Sequence, residues 1–110
     1  MIKIAIKGQA GDIRGFSIWG HARHGAYGRD IVCAGVSAVA ITTLLGLDDN
    51  ASRSMIKIAI LPAGLIYVRL MAGMPREDHR DAQVLLASMI KGLQAIQDEH
   101  EDRIIFRFRR

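Results

Sequence analysis

One six-residue string, MIKIAI, occurs twice in the chain, at residues 1–6 and 55–60. In each copy isoleucine alternates with lysine or alanine: Ile2, Ile4 and Ile6 in the first, Ile56, Ile58 and Ile60 in the second. A period of two points one set of side chains to one face of a β-strand. Each copy runs into a glycine-bearing turn, GQAGD or PAG, and then into a second strand pattern, IRGFSIWG or LIYVRLMAG. A loop and a helical pattern follow both times, and the chain closes on a last strand at RIIFRF, residues 103–108. The order is therefore β-β-α, β-β-α, β. An old duplication explains the repeat, and so does the easy recurrence of a simple Ile/Lys/Ala strand. Either way this is an α+β chain. It predicts a two-layer domain with a largely antiparallel sheet and two helices. At 110 residues, with no visible linker, it fits a single domain over 1–110.

The two helical patterns differ. Over residues 79–100, Ala82, Leu85, Leu86, Met89, Ile90, Leu93 and Ile96 recur at spacings of three and four, with Arg80, Gln83, Lys91, Gln94 and Asp98 opposite. Such an amphipathic helix covers one face of a sheet. Residues 31–47, IVCAGVSAVAITTLLGL, carry no charge. A helix apolar all round is buried or lies in a subunit interface. So short a chain has little room to wrap a helix on all sides, which predicts a homodimer.

The N-terminal MIKIAIKG alternates instead of forming a long apolar run, so it reads as neither a secretory signal nor a membrane span, and no membrane partner is expected. Net charge is +4, which raises the question of nucleic acid. The basic residues are scattered along the sequence, however, and only RIIFRFRR concentrates them, which suits a solvated edge strand better than an RNA contact. The single cysteine, Cys33, cannot form an internal disulfide, as fits a reducing cytoplasm.

That cysteine stands at an abrupt change from loop to helix, within GHARHGAYGRDIVCAGVSA, residues 20–38. Asp30 is a good N-cap directly before the apolar run. Cys33 then falls in the first helical turn, where the helix dipole and free amides favour a thiolate. His21, at the end of the strand pattern FSIWGHA, can turn toward that helix start. Cysteine and histidine supply nucleophile and general base. His24 competes for the second role, from a mid-loop position. Other readings stand beside this one. A lone cysteine also serves as a small hydrophobe. His21, His24 and Cys33 could hold zinc, but their spacing matches no standard pattern and no fourth ligand is evident; no metal or cofactor is expected. Asp30 is either only a cap or also orients the base. Ser37, one turn after Cys33, either bonds the sulfur or bonds back to its own helix. Gly25 and Gly28 are either turn formers or hinges of a lid.

The motif GHA followed at this distance by GRDIVCAGVSA resembles the ribosomal-processing cysteine protease family, Prp. The matching positions are Gly20, His21, Ala22, Gly28, Asp30, Cys33, Ala34, Val36 and Ser37. Gly35 stands where alanine is common in the family, and the acidic DEHED segment at 98–102 also departs from the pattern. The resemblance implies a small bacterial cytoplasmic homodimer that removes a short N-terminal extension from a precursor large-subunit ribosomal protein. It implies Cys33 as nucleophile and His21 as base. The segment Ala22, Arg23, His24, Gly25, Ala26, Tyr27, Gly28 and Arg29 would then lie over the substrate. Two readings from other classes remain: a non-catalytic ribosome-assembly factor touching RNA, and a redox-sensing thiol, which lacks a resolving cysteine.

Overall fold

The computed structural model describes residues 1–20, 31–62 and 64–110. Alternation decides the sheet. Ile2, Ile4 and Ile6 are buried in strand β1 (Ile2–Gln9), while Lys3 between them and Lys7 after them stand in solvent. Strand β2 (Asp12–Gly20) pairs antiparallel with β1, setting Ile18 opposite Ile4 and Phe16 opposite Ile6. The second hairpin, β3 (Ile56–Ile60) with β4 (Ile66–Leu70), sets Ile56 opposite Leu70 and Ile58 opposite Val68. The last strand, β5 (Ile104–Arg109), runs parallel to β1, and the sheet order is β3-β4-β2-β1-β5. Because β2 and β4, the second strands of the two hairpins, pair antiparallel at the centre, the two halves meet as a pseudo-twofold pair. The expected mixed α+β architecture is present: a mostly antiparallel sheet with two helices.

The two copies of MIKIAI are both strands, but they are not buried alike. In β1, which has a neighbour on each side, all three isoleucines are buried. In β3, an edge strand, Ile56 is buried, Ile58 half-buried and Ile60 exposed.

Helix α1 (Ile31–Asp48) buries Val32, Val36, Ala40, Thr43, Leu44 and Leu47, one stripe at spacings of three and four. Helix α2 (Arg76–Glu99) buries Ala82, Leu86, Met89, Ile90 and Leu93. These side chains join the isoleucines of the sheet in one core. A fully buried Ile or Leu contributes about 2 kcal/mol there. The helices cross antiparallel. The Cα of Gly35 faces Ile96, that of Gly92 faces Val39, and that of Gly46 faces Leu85. A Cβ at Gly35 would meet Ile96 Cδ1 at 3.5 Å, an ordinary contact, so the glycine that departs from the family pattern is not a steric requirement.

Two expectations change and one holds. Helix α1 is not wrapped on all sides, as the shortness of the chain implies: Ile31, Ile41 and Leu45 are exposed on its outer side. It is also long and apolar enough, by length and composition alone, to cross a bilayer, although its inner stripe packs into the core described above. Helix α2 starts at Arg76 rather than 79, after Pro75. Its first turn shows no apolar period: Arg76 and Glu77 are exposed, and Asp78 accepts hydrogen bonds from Ser52 Oγ and Asn50 Nδ2, while the two acids suit the positive helix end. Finally, the basic residues that look scattered in the sequence are gathered by the sheet. Lys3, Lys7, Lys57, Arg69, Arg107 and Arg109 all project from the face opposite the core.

Candidate active site

Cys33 is the third residue of α1, half-buried against the core, and it is in no disulfide. Ser37 lies one turn further along and is exposed. His21, the loop Ala22–Arg29 and Asp30 lie outside the described residues. So do the expected capping by Asp30 and the expected lid.

The neighbouring elements fix which end of the sheet carries the thiol. Gly35 lies against Ile96 of α2, and Gln97 Nε2 donates a hydrogen bond to the Ile104 carbonyl at 3.3 Å. Ile104 pairs with Ile2, which pairs with Gly20. The start of α1 and the end of β2 therefore share one end of the sheet. The strand's alternation is as expected, with Phe16 and Ile18 buried, Ser17 half-buried and Trp19 exposed.

Gly20 sets the direction in which the chain leaves β2. Its φ is 95°, and a Cβ there would collide with the Met1 carbonyl oxygen. Only glycine meets both conditions comfortably. The position entered the sequence reading as part of a motif, and nothing in the alternation of β2 reveals the positive φ. The expected result of Gly20→Ala is a loss of at least about 2 kcal/mol in urea unfolding, from strain plus collision. A loss below about 0.5 kcal/mol would show that the Met1 strand simply shifts.

A histidine–carboxylate pair sits at the opposite end. His79 Nε2 is 3.3 Å from Asp12 Oδ1. Beside it, Gln83 Oε1 accepts from the Ile13 amide at 2.7 Å, and Gln83 Nε2 donates to the Ile13 carbonyl at 2.8 Å. This clamp ties α2 to the first hairpin. His79 lies roughly 25 Å along α2 from Ile96, at 1.5 Å per residue, so it cannot serve the thiol. His100, which ends α2, lies near the thiol end instead. Among the described residues, no cluster of His, Cys, Asp and Glu could hold a metal ion.

Residues 1–105 match the family model described as cysteine protease Prp. The chain belongs to the cysteine protease Prp family. It is thus a cysteine protease, a hydrolase of peptide bonds. The ribosomal processing cysteine protease Prp of Staphylococcus aureus is 33% identical over 97 residues, covering 77% of this chain and 76% of the relative. The Bacillus subtilis protein of the same name is 28% identical over 92 residues, covering 84% and 82%. The crystal structure of the S. aureus Prp with a covalently linked product peptide superposes with a TM-score of 0.81. Identity there is 28%, and the match covers 99% of this chain and 100% of that one. The same protease in complex with a substrate peptide gives a TM-score of 0.72 at 27% identity, again over 99% and 100%. The Prp fold therefore accounts for the sheet order and both helices, and the family's work is ribosomal processing.

Proposed function

We propose that this Prp family chain cleaves the N-terminal extension from a precursor large-subunit ribosomal protein in the bacterial cytoplasm, as a step in ribosome assembly. Cys33 acts as nucleophile and His21 as base. The observation that carries this reading is the position of Cys33, half-buried in the first turn of α1, at the end of the sheet where β2 ends at Gly20. A relative's crystal structure with a covalently linked product peptide supports it.

In this mechanism the Cys33 sulfur attacks the scissile carbonyl, and the developing oxyanion is held by backbone amides at the start of α1. The C–N bond breaks as protonated His21 gives its proton to the leaving amine. His21 then takes a proton from water, which adds to the thioester and releases the acid and the free thiol. Asp30 caps the helix that presents the sulfur, Ser37 supports that turn, and the loop from Ala22 to Arg29 covers the peptide and excludes water. The peptide itself is held by apolar contacts and strand-like pairing. Incubation with the precursor ribosomal protein, read by intact mass spectrometry, tests the reading. One product shortened at its N-terminus is expected, and an unchanged precursor mass would refute it.

The active form is a homodimer. Ile31, Ala34, Ala38, Ile41 and Leu45 line the exposed side of α1 at alternating spacings of three and four. That is the a/d seam by which two helices pack. Sedimentation at micromolar concentration should give twice the chain mass of 12.1 kDa, and Leu45→Glu should shift it to monomer. A wild-type monomer would refute the dimer.

A further inference from the structure

The face of the sheet turned away from the helices is the least explained surface of the molecule. The strand register places Lys57 opposite Arg69, Arg69 opposite Gly15, Gly15 opposite Lys7, and Lys7 opposite Arg109. This is one straight row across all five strands, with a basic side chain on every strand except the central one. Four strand spacings make it about 19 Å long. Directly opposed like charges destabilise a sheet, so stability of the fold does not account for the row. Arg107 and Lys3 extend the charge along β5 and β1. Asp12, the nearest acid, lies beyond the row opposite Gln9 and is tied to His79, and none of these six side chains forms an ion pair among the described residues.

Two aromatic rings share the face. Tyr67 is 40% exposed and Trp19 38% exposed. Tyr67 stands opposite Ser17, one step along the strands from the charged row, and Trp19 stands opposite Lys3. Between the charges lies a depression of about 420 Å³ with Ala5, Gly15 and Ser17 in its floor and Lys7, Tyr67, Arg69 and Arg109 around it. The floor is low because Gly15 has no side chain. A Cβ there would collide with the Val68 carbonyl oxygen.

A row of cations tracks a phosphate backbone, and exposed rings on the same platform stack bases. The geometry points to this open sheet face as a binding surface for single-stranded RNA, with Lys7, Lys57, Arg69 and Arg109 on phosphates and Tyr67 and Trp19 under bases. The choice of RNA over other polyanions rests on the family's work in ribosomal processing. The chemistry of the face itself needs a flexible polyanion with flat, apolar bases. A lipid surface would not use the rings as stacking platforms, and an acidic peptide would offer them nothing flat. The charged row crosses the strands away from the end that holds Cys33, whereas Trp19 and Lys3 stand on the same face at the Cys33 end.

Fluorescence anisotropy with a labelled single-stranded 12-mer RNA tests this without any cleavage step, so its outcome is separate from that of the protease assay. With about four phosphate contacts, affinity should fall about 50-fold between 50 and 200 mM salt. Arg69→Gln should weaken binding and flatten the salt dependence by one contact, whereas Tyr67→Ala should weaken binding about tenfold at unchanged slope. Trp19 is the only tryptophan, so its emission should be quenched as RNA binds. Circular dichroism should show both variants folded, as their exposure predicts. Four results would overturn the proposal: no binding at 50 mM salt, equal affinity for duplex RNA, equal affinity for poly-glutamate or phosphatidylserine vesicles, or a change of oligomeric state in Arg69→Gln showing that a second copy covers the face.

Discussion

Cys33→Ala will lose precursor cleavage by at least about 10⁴-fold, because removal of a covalent nucleophile leaves only binding and polarisation of the carbonyl. The fold will survive. Cys33 is half-buried at the start of a helix whose core stripe is formed by Val32, Val36, Ala40, Leu44 and Leu47, and alanine is a good helix former. Cys33→Ser sharpens the test. It keeps the size and removes the thiolate chemistry, so it should be nearly as inactive and fully folded. Iodoacetamide should block the wild type with the addition of one adduct, since the chain has a single cysteine. Cleavage retained in Cys33→Ala at more than a few per cent of the wild-type rate would remove Cys33 from the chemistry and return it to the role of a small core residue.

His21→Ala will lower the cleavage rate by about 10² to 10⁴-fold, the usual contribution of a positioned acid–base group, while His24→Ala will stay within a few fold of wild type. The prediction separates the histidines by where the chain places them. His21 follows Gly20, whose positive φ and contact with the Met1 carbonyl fix the exit from β2. His79 is at the far end of α2, tied to Asp12. His100 lies at the near end of α2, its amide bonded to the Ile96 carbonyl, and is the control that the fold makes necessary. His100→Ala should cleave normally. A larger loss in His100→Ala than in His21→Ala would move the base from the loop to the end of α2. Equal losses in His21→Ala and His24→Ala would mean that the loop acts as a whole and that no single imidazole is the base.

Much of the framework was legible because it depends on short-range periodicity. The alternation of Ile2, Ile4 and Ile6 reports a strand with one buried face whatever its neighbours are, and the three-and-four spacing from Ala82 to Leu93 reports a helix on a core. What remained hidden depends on neighbours. MIKIAI is the same string twice, yet Ile6 is buried and Ile60 exposed, because one copy is flanked by two strands and the other by one. Lys7, Lys57, Arg69 and Arg109 are far apart in sequence and look scattered. Only the order β3-β4-β2-β1-β5 and its register bring them into one row. The site shows the same division. The helix-start position of Cys33 follows from an apolar run after a capping residue, whereas the demand for glycine at position 20 appears only when Met1 is seen beneath it.

The parallel pairing of β1 with β5 has a consequence for how the protein is made. Ile2 is synthesised long before its partner Ile104. Until residues 104–109 emerge, β1 can form its hairpin with β2, but the unpaired backbone groups of its other edge stay open to any passing strand. Such a long-range pairing is slow to form, because a large loop must close before it is rewarded. Nascent chains stalled before residue 104 should therefore be the ones that aggregate or recruit chaperones, and the emergence of β5 should be the event that seals the sheet.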